Sequence, residues 1–222
     1  LFNARHSLVI LKENLIVQWK TIRKIISISA GGMGQFLIDS VAWIFLTRIV
    51  AEFGSSAVAG FTISFRILMF SLMPAWGLSA AAATLVGQNM GAHKLKRAKI
   101  SVWLTAKYNA WFLGVITLLY ILWGDLFASW FTPNSQVQEI ASLGLKIVAL
   151  GYIFFGVGMV MIQAFNGAGD TKTPSYINMG VFWLLEIPMA YFLASYFEMA
   201  MTGIFISIAF CHSLHALVSL WF

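Results

Sequence analysis

Long apolar runs separated by short polar turns dominate the chain. Six of them, at about 25–51, 58–88, 100–122, 137–165, 176–196 and 201–222, are each about 20 residues or more. An α-helix rises about 1.5 Å per residue, so about 20 apolar residues cross the hydrocarbon of a bilayer. Each run therefore predicts one membrane-spanning helix. The turns between them read FGSS at 53–56, GAHKLKRAK at 91–99, WGDLFASWFTPNSQ at 123–136 and NGAGDTKTP at 166–174. Pro74 lies inside the second run, which is long enough to need a tilt or a kink. Ahead of the first run, Leu8, Leu11, Leu15, Trp19, Ile22 and Ile26 follow helical spacing, with Lys12, Glu13, Lys20, Arg23 and Lys24 on other faces. Residues 1–24 are thus expected to form an amphipathic linker helix in the membrane interface, and residues 25–222 a lobe of six transmembrane helices.

Composition agrees with this reading. The chain is 60% hydrophobic and 10% charged, with a mean hydropathy of +0.84, whereas a soluble domain carries about 25% charged residues. One cysteine, Cys211, excludes an internal disulfide framework and a Cys-rich metal site. The net charge of +6 is unevenly placed. Lys94, Lys96, Arg97, Lys99 and Lys172 share one side with the basic starting segment, while Glu52, Asp125, Glu139 and Glu198 mark the other, where Arg48 is the nearest base. The positive-inside rule makes the first side cytoplasmic, together with both ends of the chain. That rule accounts for the basic cluster without nucleic acid as a partner. Trp103 on one flank, and Trp123 and Trp130 on the other, fit interfacial aromatic belts.

The candidate chemistry is the set of polar groups inside the apolar runs. Asp39 stands near the middle of the first run. An acid at that depth costs roughly 2.5–3.5 kcal/mol on insertion scales, and such groups face a protein interior or a wet cavity. Counting outward to the nearest turn puts Arg66 at the depth of Asp39, and Glu186 at that of His212. An Asp39–Arg66 ion pair, which would lock two helices together, is therefore geometrically possible across the first hairpin, and Glu186 and His212 are expected to touch across the last. Trp43 lies four residues after Asp39 and Trp183 three before Glu186, helical-face spacings that would set an aromatic ring beside each acid for an organic cation. Packing alone is the simpler account of both tryptophans. Lys107 and Lys146 are read as snorkelling to headgroups. His212 and His215 form H-x-x-H without an intervening glutamate or a third ligand, so neither a metal site nor a cofactor is expected. Gly31, Gly32, Gly34 and the Ser79–Ala83 stretch are expected to permit close helix approach.

Three stretches carry a family resemblance: FGSSAVAGFTISFR at 53–66, AAATLVGQNMGA at 81–92 and QAFNGAGDTKTP at 163–174. In this order and spacing they resemble the C-terminal lobe of a MATE (multidrug and toxic-compound extrusion) transporter, over essentially the whole chain. The resemblance implies two six-helix lobes around a cavity that opens alternately to each side. It also implies export of organic cations, drugs or toxic compounds in exchange for protons or sodium ions, in a cell membrane, the inner membrane of a bacterium. Asp39 falls where many members carry an acid on helix seven for coupling or substrate binding. Some members add an acid within helix ten, but here that helix has only Glu139 at its outer end. Glu186 with His212 is the expected substitute, and histidines suit protons better than sodium. The chain begins at Leu1 and stops at Phe222 within an apolar run, so an N-terminal six-helix lobe of the same protein is the expected partner, besides membrane lipid and a small organic cation. Two other functions compete. A related lipid or polysaccharide flippase would show a basic cavity for phosphate headgroups. An intramembrane enzyme would use Glu186, His212 and His215 as an acid–base set and would need a nucleophile or metal converging on them.

Overall fold

A computed structural model describes residues 17–222, so the amphipathic helix expected from residue 8 lies largely outside the described residues. What is described of it, from Trp19 onward, is the first turns of α1 and not a separate element. The described residues are all-α: α1 (Trp19–Ala51), α2 (Ser55–Gly91), α3 (Leu95–Ser129), α4 (Ser135–Leu150), α5 (Tyr152–Ala168), α6 (Lys172–Tyr196) and α7 (Ala200–Trp221). Five are long and apolar enough to span a membrane alone, and α4 with α5 makes a sixth, bent span. Helices α1, α2 and α3, of 33, 37 and 35 residues, are longer than the hydrocarbon requires. Their polar end turns therefore continue as helix beyond the apolar run, which is why they outreach the predicted bounds.

Three features depart from a plain set of rods. The fourth span is broken at Gly151 with a bend of 59°. A Cβ at Gly151 would sit 2.8 Å from the carbonyl oxygen of Ala209 on α7, so the backbones meet here and leave room only for glycine. The carbonyl of Ala149, in the last turn before the break, accepts the hydroxyl of Thr117 at 2.7 Å, which serves a group that a broken helix would leave short of donors. Helix α3 kinks at Trp123, whose φ of −126° and ψ of 19° are not helical; the predicted end at 122 marks that kink. By contrast, Pro74 does not end α2. In the turns before it, Tyr120 and Tyr152 donate to the carbonyls of Ile67 (3.1 Å) and Leu68 (3.2 Å), tying the proline-containing helix to α3 and α5.

The third departure is α6. After one α-helical stretch to Asn178 it runs as π-helix over Met179–Glu186 and again over Phe192–Tyr196. A π turn closes i→i+5 bonds instead of i→i+4, so residues beyond it are rotated from the face an α-helical count assigns.

Helix α2 sits at the centre, packed against α3, α4 and α5, while α7 packs on α4, α5 and α6. The core holds Phe61, Leu68, Leu113, Leu145, Ile204 and Phe205, all essentially inaccessible. Buried Asn109 of α3 ties three helices together through Gly156 of α5 (2.9 Å) and Ser79 of α2 (3.4 Å). Small residues do permit close approach where Ala83 meets Gly167 and where Gly31 meets Thr171. Gly32 and Gly34 have open space instead, contrary to their expected packing role.

Candidate functional site

A cavity of about 910 Å³ opens between α1, α2, α4, α5, α6 and α7. Its wall is mostly aromatic and aliphatic, including Phe65, Leu72, Phe155 and Phe182. Asp39 is the one carboxylate in that lining, which contains no lysine or arginine. The helix broken at Gly151 delivers Gln163 and Asn166 to the same space, the α-helical start of α6 delivers Asn178, and α7 adds His212 and His215.

Asp39 is not ion-paired. Among the described residues the recorded ion pair is Lys146–Asp125; Arg66 is exposed in an adjoining groove of about 450 Å³ with Phe61, Phe65 and Trp43. The Asp39–Arg66 pair is therefore absent. Equal depth fixes the height of two residues in a hairpin, while their direction around each helix axis decides contact. Asp39 instead accepts the side-chain N–H of Asn178 at 3.0 Å. The other end of that amide, Asn178 Oδ1, lies 3.0 Å from Nε2 of His215. One amide thus joins α1, α6 and α7.

The second pair fails as well. Glu186 is 3% exposed and outside the cavity lining, and no hydrogen bond joins it to His212 among the described residues; its backbone carbonyl accepts Ser207 Oγ–H at 3.0 Å. Eight π-helical residues lead up to Glu186 and turn it away from the face counted for it. His212 lies on the cavity wall between Phe155 (4.5 Å) and Phe182 (5.3 Å), with Nδ1 buried and unpartnered. The three residues Glu186, His212 and His215 do not converge on one another, and no cluster of three metal-ligating side chains occurs among the described residues.

The two tryptophans differ. Trp43 lines both the cavity and the groove, with its ring 5.1 Å from Phe61 and 4.3 Å from Phe65. Trp183 is in neither lining; its indole N–H donates to the carbonyl of Ile38 at 3.0 Å and its ring meets Phe45 edge-on at 5.8 Å. Lys146, expected to snorkel to the headgroups, pairs with Asp125 at 2.7 Å, and Ser142 donates to the same carboxylate.

Sequence reasoning missed a polar patch on the basic side of Asp39. Gln35 donates to Asn166 Oδ1 and to the carbonyl of Thr171, both at 3.1 Å, and Asn166 donates to Gln163 at 3.2 Å. Gln163 and Asn166 stand three apart, a same-face spacing within the QAFNGAGDTKTP stretch. Asn178 had a signal too, lying four and eight residues before Phe182 and Glu186 in an apolar run. Below the patch, Asp170 closes the turn after Gly169 (φ +86°). It accepts Thr173 Oγ1–H at 2.6 Å and the backbone N–H groups of Lys172 and Thr173 at 3.1 Å. The Thr173 hydroxyl, followed by these backbone donors, holds its carboxyl below the usual carboxylate range.

Comparison with known proteins gives this site a context. A family model described as MatE matches residues 33–192. The chain is 25% identical over 194 residues to a probable multidrug resistance protein NorM of Thermotoga maritima, covering 85% of this chain and 41% of that protein. Its fold superposes on the crystal structure of the Vibrio cholerae MATE transporter VcmN in the bent form with a TM-score of 0.88 at 19% identity, over 96% of this chain and 48% of that one. A crystal structure of MATE in complex with MaL6 gives 0.90 at 20% identity, over 98% and 49%. The chain spans about half the length of the relatives it matches.

Proposed function

The chain belongs to the MatE family, and from that premise we propose that it is the C-terminal six-helix lobe of an antiporter exporting organic cations, drugs or toxic compounds. The observation that carries this reading is Asp39, the one acid lining a large aromatic cavity and without a cationic partner among the described residues. A carboxylate in such a place attracts a positive charge, and aromatic walls suit the apolar body of an organic cation. A proton and a substrate cation would occupy it alternately, and alternating access would come from this lobe rocking against an N-terminal one around the shared cavity. The proton is the coupling ion put forward, because the groups nearest Asp39 are an amide N–H and, behind it, an imidazole. Sodium is the alternative; it would require more oxygen ligands than the single carboxylate here. The flippase reading is less well supported, since Arg66 lies outside the cavity lining. The location proposed is a bacterial inner membrane, with the Lys94–Lys99 loop cytoplasmic.

The test is export of an organic cation from cells carrying the full-length transporter. Asp39→Asn should abolish ion-driven export while the protein accumulates to its normal level. Export at the wild-type rate by the variant would sink the reading.

A further inference from the structure

One side-chain amide separates Asp39 from the last helix, and its two ends are chemically distinct. A charged carboxylate only accepts hydrogen bonds, so Asp39 takes the Nδ2–H of Asn178 at 3.0 Å. That leaves Oδ1, which only accepts, turned toward His215 Nε2, also at 3.0 Å. His215 must then carry its proton on Nε2. Its Nδ1 holds a lone pair and is buried without a hydrogen-bond partner, against Gly158 of α5, where a Cβ would lie 3.2 Å from it.

We infer that Asn178 and His215 are positioning residues that report the protonation state of Asp39 to the seam between α5 and α7. This rests on the proposed role of Asp39 and adds a path by which its charge is felt elsewhere. A protonated Asp39 has a hydroxyl to donate, and turning the Asn178 amide brings Oδ1 round to accept it. Reversing the amide presents Nδ2–H to His215, whose Nε2 must now accept, so its proton moves to Nδ1. That N–H lies against Gly158, where Nδ1 has no hydrogen-bond partner among the described residues. Nδ1 is unpartnered in either tautomer, but a proton on it must also fit against Gly158, so neutral Asp39 weakens the α5–α7 contact and charged Asp39 restores it.

Other ionisable groups around the amide do not supply this link. Helix α1 brings only Asp39 to the cavity and α6 brings Glu186 outside it. Helix α7 adds His212 against aromatic rings and buried Cys211. From α5, Tyr152 spends its hydroxyl on the Leu68 carbonyl, and from α2, Arg66 faces the separate groove.

Nitrogen NMR of ring-labelled histidine in the full-length transporter, held in lipid bilayers, reads the tautomer directly. At alkaline pH wild-type His215 should be neutral with its proton on Nε2. Asn at position 39 offers donor and acceptor alike, so Asp39→Asn should raise the Nδ1–H population, and Asn178→Leu should make the ratio indifferent to residue 39. Should either variant fail to fold, the wild-type ratio compared between alkaline and mildly acidic pH asks the same question. His215→Gln keeps a donor for Asn178 but has no second tautomer, and should give a folded protein whose transport depends less on pH. Dominance of the Nδ1–H form in alkaline wild type overturns the inference, as does a ratio unmoved by Asp39→Asn or, where that variant does not fold, by acid. Failure of the transport reading would look different: Asp39→Asn would still export, whatever the tautomer.

Discussion

Asp39 stands out in any reading of the first apolar run, because an acid there is costly unless it faces a cavity; the cavity is where the structure puts it. Its partner was misassigned, because depth can be counted along a sequence while direction around a helix axis depends on how neighbours pack. Gln35 of α1 bonds Asn166 of α5, and Asn178 of α6 bonds Asp39 of α1, each at about 3 Å, relations that no local spacing records. The two tryptophans give a contrast that can be measured. Trp43→Ala removes a ring from the cavity wall, and cation–π attraction of about 0.5–2 kcal/mol translates into binding of an organic cation weakened roughly 2- to 30-fold. Trp183→Phe loses the hydrogen bond to Ile38 and should cost about 0.5–1.5 kcal/mol of stability with binding unchanged. Titration calorimetry and thermal unfolding of both variants check the assignment; a binding loss confined to Trp183→Phe would reverse it.

Among the elements, the number and order of spans were readable from apolar length alone, but their interruptions were not. The break at Gly151 answers the backbone of Ala209, about sixty residues away in sequence, and the π-helical run ends at Glu186, two residues before Pro188, which has no N–H to donate. Gly151→Ala would drive a Cβ into the Ala209 carbonyl and should destabilise by about 1–3 kcal/mol. Gly32→Ala has nothing within 4 Å to meet and should be neutral or stabilising, by up to about 1 kcal/mol from helix propensity. A common thermal shift for the two would contradict the close approach at the bend. The turn into α6 makes a further prediction. Asp170→Ala removes the acceptor for two backbone N–H groups and should cost about 0.5–2 kcal/mol. The carboxyl titrates below its ordinary value near 3.9. Its contribution is therefore complete above that value and fades only as pH falls through the lower folded one. The stability difference between wild type and Asp170→Ala should be flat from pH 5 to 8 and shrink in stronger acid; a difference that changed across neutral pH would point to another group.

For the whole molecule, the alternation of basic and acidic turns predicts an orientation with the Lys94–Lys99 loop cytoplasmic. In intact cells, a cysteine replacing Lys96 should resist a membrane-impermeant thiol reagent, and one replacing Ser135 should react, with buried Cys211 as the silent background. The reverse pattern would invert the orientation. Family membership and the six-span lobe agree with what the three motif stretches implied, whereas the proposed coupling site was legible in the sequence only as far as Asp39. The central claim is that one carboxylate holds either a proton or an organic cation. It is tested most directly by counting protons released when a saturating organic cation is added to the purified full-length transporter in weak buffer, at a pH where Asp39 is protonated. The account predicts about one proton released per cation bound by wild type, and none by Asp39→Asn. Cation binding without proton release in wild type, or undiminished release in the variant, would contradict it.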